Sequence, residues 1–206
     1  MSAPLEGSAG GLDKLRAAAE IARVPVMPCG MLNAETLPEG VDVIVAAHSH
    51  DFVGGKTRSR ARFGGIGFHP SLLPRHRGRD AVRWAVKMGD AVTGGTVYWL
   101  TDTVDGGPVA AQDWCFIGAE ESPRALWRDK LMPMGVRLIV KVLADLDRGV
   151  MVAIPQDETY ATWEPGWDRP PVRRPDLLML GDGRSRSKIE VVCDSEALWN
   201  LAGRIG

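Results

Sequence analysis

Short apolar runs and amphipathic stretches alternate along most of the chain. Residues 41–47 are β-branched and almost continuously apolar, which is typical of a strand buried in a parallel sheet. Two later segments, around the turn-rich residues 101–108, alternate in polarity as the strands of an antiparallel pair do. Prolines in the short strand-like segment 24–29 place that segment at a sheet edge. We predict strands at residues 24–29, 41–47, 65–69, 95–100, 109–117 and 150–154.

Helices are indicated where apolar residues recur at three- and four-residue spacing. The longest helix begins at Ser122 and Pro123, because serine caps helix N-termini and proline suits the first turn. Pro133 is expected to kink this helix, and Gly149 to end it. We predict helices at residues 13–22, 56–63 and 79–88, and from Ser122 to Gly149.

Alternating strands and helices define an α/β fold with a Rossmann-like, mostly parallel sheet. The chain opens with a helix, so the usual N-terminal βαβ start is expected to be missing. A C-terminal strand at 188–193 and a helix at 195–205 are expected to complete the sheet instead; alternatively, the numbering begins inside a longer sequence. We predict a catalytic domain at 1–154. Residues 155–206 then form a proline-rich arm plus this strand and helix.

Composition narrows the classes of function. The 206 residues are within the size of one domain, and 45% hydrophobic residues exclude general disorder. A net charge of −1 gives no bulk attraction for nucleic acid or an anionic membrane. The sequence shows neither a membrane-spanning apolar run nor a signal peptide at its start. Three widely separated cysteines argue against a disulfide framework and favour a reducing, cytoplasmic setting.

Candidate chemistry concentrates in one region, because all four histidines, His48, His50, His69 and His76, lie there. Histidine serves proton transfer near neutral pH. His69 ends a predicted strand, at the position where open α/β sheets bind ligands. Asp105 lies in a Gly-Gly-Pro turn that can approach from a neighbouring element. Together they form the minimum set for general acid–base catalysis.

Simpler interpretations stay open for these residues. His69 is alternatively a structural residue at a strand end, and Asp105 a turn residue. His48, His50 and Asp51 weakly resemble a metallohydrolase motif, but their spacing is wrong for it. A polar loop lining a ligand cleft is favoured there, and no metal site is predicted.

Three segments together resemble the folate-dependent formyltransferases: HPSLLP at 69–74, VDGGP at 104–108 and QDETYAT at 156–162. The resemblance extends from about residue 41 to residue 165. This family includes glycinamide ribonucleotide, methionyl-tRNA and sugar-amine formyltransferases and formyltetrahydrofolate hydrolase. The resemblance implies the formyltransferase fold and transfer of a formyl group from 10-formyltetrahydrofolate to a primary amine. It also implies that His69 and Asp105 form the acid–base pair.

The family's catalytic asparagine precedes its histidine by two residues, where this chain has Gly67. Loss of one oxyanion donor costs about 10²–10³ in rate. Ser71, His50 or a backbone N–H group are candidates to replace it. By position, the resemblance assigns two segments to binding the folate donor. They are Ser49, His50, Asp51 and Phe52, and Leu100, Thr101, Asp102, Thr103 and Val104.

The acceptor is expected to be a small-molecule amine or an aminoacyl group. No GxGxxG or Walker pattern supports a nucleotide phosphate, and the charge gives no support for tRNA. Arg75, Arg77 and Arg79 are candidates for binding an anionic acceptor. A homodimer formed by strand exchange is a further option.

Three alternative functions stay open. Gly67 motivates a catalytically impaired folate-binding relative, and water as the acceptor would make the protein a formyltetrahydrofolate hydrolase. The third alternative is a metal-dependent hydrolase that uses His48, His50 and His69.

Overall fold

The computed structural model describes residues 1–4, 13–49 and 51–164. The strands are β1 (Ser2–Ala3), β2 (Met27–Pro28), β3 (Ile44–Ala47), β4 (Gly65–His69), β5 (Val92–Trp99) and β6 (Val109–Phe116). The helices are α1 (Lys14–Ile21), α2 (Gly55–Arg58), α3 (Ala81–Met88), α4 (Pro123–Leu126) and α5 (Met132–Asp147). A π-helical turn at Trp127–Leu131 joins α4 to α5, and a 3-10 turn spans Glu158–Tyr160.

The larger sheet has the strand order β3-β4-β5-β6. Strands β3 and β4 are parallel, whereas β5 is antiparallel to both β4 and β6. The predicted α/β class is confirmed, and so is the antiparallel pair, which is β5 and β6. The four-stranded sheet is mixed where a mostly parallel one was predicted. Sequence patterns identify strands, but they do not fix the direction in which two neighbours run.

The N-terminus departs from the prediction that the chain opens with a helix. Strand β1 precedes α1 and pairs in parallel with β2, with Ser2 opposite Met27. A short βαβ arrangement is therefore present, separate from the four-stranded sheet. Two-residue strands carry no periodic pattern, so the sequence did not reveal β1. Asp13 caps α1 by accepting the Leu15 N–H at 2.9 Å.

The helix predicted at 56–63 is shorter in the structure, because α2 ends at Arg58. The reason lies in backbone pairing beyond it. The Arg62 N–H donates to the Val41 carbonyl at 3.0 Å, and the Phe63 N–H donates to the Asp42 carbonyl at 2.7 Å. These bonds tie the segment to the chain leading into β3 and end the helix.

Two other boundaries differ. The strand predicted at 150–154 reduces to one bridge, in which Ile154 exchanges both backbone hydrogen bonds with Val109. The irregularity expected at Pro133 takes the form of the π-helical turn immediately before it. Because proline lacks an N–H group, the preceding turn is free to adopt wider hydrogen bonding.

Helix α5 packs on β5 and β6 and covers the main core. The Phe68 ring lies where β4, β5 and α5 meet. A Cβ added to Gly95 or to Gly135 would lie 2.7 Å from this ring. The two glycines therefore let β5 and α5 approach Phe68, the residue before His69. The core residues are Ile66, Val97, Trp99, Ala110, Leu126, Leu131, Met134, Leu138, Val142 and Leu146.

Part of the predicted C-terminal unit is described. Residues 155–164 run back over the loops that follow β4 and β5. The predicted strand at 188–193, the predicted helix at 195–205 and most of the arm lie outside the described residues. None of the described helices combines the length and the apolar character that spanning a membrane requires.

Candidate active site

His69 ends β4 and is buried, with 7% of its surface exposed. Its Nε2 lies 2.6 Å from the carbonyl oxygen of His76. A carbonyl oxygen only accepts hydrogen bonds, so Nε2 carries a proton and Nδ1 is the atom that can exchange one. Nδ1 lies 3.6 Å from Oδ2 of Asp105. Burial lowers the pKa of His69, and the negative charge of Asp105 only partly opposes this effect. Because the pKa is lowered, the ring is neutral near pH 7.

Asp105 lies in the loop between β5 and β6, with a positive φ of 51°. Both carboxylate oxygens are held. The Tyr98 hydroxyl donates to Oδ1 at 2.7 Å, and the Gly78 N–H donates to Oδ2 at 2.7 Å. The turn also requires Gly107, because a Cβ there would lie 1.7 Å from the Trp99 carbonyl oxygen. The loop therefore presents the carboxylate to His69 in one orientation.

Residues 156–158 support this loop from behind. The Gln156 amide donates to the carbonyl oxygens of Asp105 at 2.8 Å and of Gly107 at 2.7 Å. Arg77, with 2% of its surface exposed, donates to Gln156 Oε1 at 2.7 Å and to both carboxylate oxygens of Glu158. Arg77 is thus a buried structural cation, which corrects its prediction as an anion-binding residue.

His76 connects the loop after β4 to two other segments. Its ring lies 2.7 Å from Oδ2 of Asp90 and 3.1 Å from Oε1 of Glu164. Its backbone N–H donates to the Thr162 hydroxyl at 2.7 Å. Burial opposes the charged ring, but the hydrogen bond to Asp90 and the nearby negative charges of Asp90 and Glu164 outweigh it and raise the pKa of His76. His76 therefore fixes the backbone whose carbonyl oxygen accepts from His69.

A cleft of about 290 Å³ opens at Asp105, and its lining includes Asp105 but not His69. Phe68, Leu100 and Val53 supply apolar walls, and Asp105 and Tyr98 also line it. Arg58 bonds to Asp102 at 2.6 Å and ties the loop after β5 to α2. His50 lies outside the described residues. The other residues predicted to bind the donor all line this cleft: Ser49, Asp51, Phe52, Leu100, Thr101, Asp102, Thr103 and Val104.

Ser71 was predicted as one possible replacement for the absent asparagine. Ser71 is fully buried and donates to the Arg75 carbonyl at 2.6 Å, so it stabilises its own loop. Sequence reasoning missed Tyr98, which pairs with Gly67 across β4 and β5 and lines the cleft. The strand register would have revealed it, but the sequence does not give that register. In the described part of the chain, no three His, Cys, Asp or Glu side chains gather as metal ligands do.

The fold and the site together define a class of protein. A neutral buried histidine faces a fixed carboxylate, at the strand-end edge of an α/β sheet and beside a ligand-sized cleft. This arrangement suits proton transfer to and from a molecule bound in the cleft.

Comparisons with known proteins identify the family. The formyl transferase family model matches residues 31–143, more than half of the chain. The mitochondrial 10-formyltetrahydrofolate dehydrogenase of Homo sapiens is 32% identical over 165 residues, 75% of this chain and 18% of that protein. The methionyl-tRNA formyltransferase of Nitratidesulfovibrio vulgaris (strain DP4) is 38% identical over 124 residues, 60% of this chain and 37% of that protein. The chain belongs to the formyl transferase family.

A solved structure supports the fold. HypX from Aquifex aeolicus, in complex with tetrahydrofolic acid, aligns with a TM-score of 0.58 at 19% identity. The alignment covers 70% of this chain and 26% of HypX. The chain thus spans less than two fifths of each of these three proteins.

Proposed function

We propose that this protein transfers the formyl group of 10-formyltetrahydrofolate to a primary amine, with His69 and Asp105 as its acid–base pair. The observation that carries the proposal is the placement of His69. Its neutral ring turns Nδ1 toward Asp105, which lines the cleft. Eight of the nine residues that the family resemblance assigns to the folate donor line the same cleft, and the ninth, His50, lies outside the described residues.

The chemistry requires one proton to move twice. The amine nitrogen bonds to the formyl carbon, loses a proton, and the bond from that carbon to the folate nitrogen breaks. Neutral His69 accepts the amine proton at Nδ1, and the negative charge of Asp105 stabilises the resulting imidazolium. The ring then returns the proton to the departing folate nitrogen. Products are the formamide and tetrahydrofolate, and the ring regains its starting state.

The cleft suits a flat heterocycle with an apolar face and a polar edge. Phe68 and Leu100 offer apolar surface, while Thr101 and Asp102 add polar groups. The tetrahydrofolic acid described for HypX and the 10-formyltetrahydrofolate named in the human relative support the choice of donor.

Hydrolysis, with water as the acceptor, is the second candidate. The relative that matches over 75% of this chain is named a 10-formyltetrahydrofolate dehydrogenase, a name that specifies the donor and no amine. Hydrolysis would use the same donor as formyl transfer to an amine, and His69 would play the same role in both reactions. The two candidates differ in their second product, which is a formamide or formate.

The test measures tetrahydrofolate release from 10-formyltetrahydrofolate, with and without a panel of primary amines. His69→Ala and Asp105→Ala are each expected to lower turnover by at least about 10²-fold, because each removes part of the proton-transfer pair. Asp113→Ala, on β6, is the matched control and is expected to keep wild-type activity. Formate analysis separates hydrolysis from transfer.

Donor binding is measured separately, by thermal shift with the stable analogue 5-formyltetrahydrofolate. At about 100 times its Kd, a ligand stabilises by about 2.7 kcal/mol, or roughly 5–10 °C for this size. The wild type and His69→Ala are both expected to show the shift. An unshifted wild type without turnover would refute the proposed function.

A further inference from the structure

Gly67 lies directly opposite Tyr98 in the pairing of β4 with β5. A Cβ added to Gly67 would lie 2.9 Å from Cζ of Tyr98 and 3.0 Å from Cδ2 of Leu100. Real Cβ atoms do not approach a ring this closely. The Tyr98 ring therefore takes the space that any larger side chain at position 67, asparagine included, would need.

The hydroxyl of the same ring reaches the reaction centre. Tyr98 is 8% exposed, and its hydroxyl donates to Oδ1 of Asp105 at 2.7 Å. The Gly78 N–H holds the other oxygen, Oδ2, which is the one that faces His69. Burial and the charge of Asp105 raise the pKa of Tyr98, so the phenol keeps its proton and remains a donor.

We propose that Tyr98 is a positioning residue for formyl transfer: its ring replaces a side chain at position 67, and its hydroxyl orients the Asp105 carboxylate toward His69. This inference rests on the proposed function. It also explains Gly67 as one half of a sterically matched pair, because the Tyr98 ring fills the space beside it.

Tyr98→Phe removes the hydroxyl and keeps the ring. The hydrogen bond ends on a charged group, and such bonds correspond to roughly 10- to 100-fold in an equilibrium or rate. We expect kcat to fall by at least about 10-fold while KM for 10-formyltetrahydrofolate changes less than about 2-fold. The matched control is Tyr160→Phe, since Tyr160 is the second of the two tyrosines and is 45% exposed.

A double-mutant cycle tests the shared space. Gly67→Asn in the wild type is expected to lower the melting temperature, because the new side chain meets the Tyr98 ring. The same change in a Tyr98→Ala background is expected to lower it less, because the ring is gone. The combined variant is also expected to turn over faster than Tyr98→Ala alone, since an amide then reaches the space near Asp105. Additive effects on stability would overturn the shared-space part of the inference.

The outcomes separate this inference from the proposed function. An active wild type whose Tyr98→Phe variant keeps full kcat, or loses only thermal stability, overturns the positioning role alone. A wild type that neither binds 5-formyltetrahydrofolate nor turns over 10-formyltetrahydrofolate overturns both. A fall in kcat without a change in KM supports the inference.

Discussion

The ionisation of His69 is decided by its immediate neighbours. The carbonyl oxygen of His76 fixes a proton on Nε2, and burial lowers the pKa of the ring. The Asp105 charge limits that lowering without cancelling it. His69 is therefore a base that is already unprotonated near neutral pH.

This ionisation predicts the pH dependence of catalysis. The neutral ring is the active form, and it is lost by protonation as the pH falls. Because the pKa is lowered, the acid limb of kcat/KM is expected to lie below the ordinary imidazole value of about 6.5. A profile of kcat/KM across about pH 5 to 8 checks this. An acid limb above about 6.5 would mean that a different group controls the rate.

Sequence reasoning reached His69 and Asp105 because short motifs mark them. Tyr98 was not predicted, because its role depends on two long-range contacts that no local sequence pattern indicates. Strand pairing puts the ring over Gly67, and the turn after β5 brings Asp105 back to the hydroxyl. Neither the register nor the turn is encoded by periodicity.

At the scale of elements, the loop after β4 is held by residues 156–164 and by the end of α3. His76 is the centre of this junction, between the carboxylates of Asp90 and Glu164. Sequence patterns suggested an arm there, because proline and polar residues dominate it. They could not show contacts between segments more than eighty residues apart.

The junction predicts a pH-dependent contribution to stability. The pKa of His76 is raised in the folded state, so its charged ring stabilises the fold fully below about pH 6.5. That contribution is lost as the pH rises through the folded pKa. His76→Gln is therefore expected to reduce the free energy of unfolding more at about pH 6 than at about pH 9.

Urea denaturation at the two pH values measures this difference. Glu164→Gln removes one of the two carboxylates that face His76. In a Glu164→Gln background, the effect of His76→Gln on the free energy of unfolding is therefore expected to differ less between the two pH values. A gap between wild type and His76→Gln that grows with pH would contradict the assignment of a charged ring.

At the scale of the whole molecule, Phe68 brings α5 close to the end of β4 that carries His69, and we predict that this contact couples the helix to the candidate active site. The ring packs against Gly95 of β5 and Gly135 of α5, and the next residue is His69. The amphipathic pattern predicted the helix and its buried face. It did not predict the mixed sheet or this contact, because both depend on how distant elements meet.

Gly135→Ala tests the coupling. Alanine in a helix interior normally stabilises by about 1 kcal/mol relative to glycine. Here the added methyl group would lie 2.7 Å from the Phe68 ring, so overpacking of about 1–3 kcal/mol opposes that gain. We expect a net loss of stability by thermal denaturation, together with lower turnover. Val136→Ala, at a 59% exposed position of α5, is the control and is expected to change neither.

The hydrogen bond from His69 to the His76 carbonyl has a consequence for how this chain can vary in length. Surface loops usually tolerate insertions, but the six residues after Pro70 must return one particular oxygen to the imidazole. An added or deleted residue would move the His76 carbonyl oxygen relative to Nε2 and disturb this hydrogen bond. The distance along the chain from His69 to His76 is thus itself a requirement of the proposed site, as much as the identity of either residue.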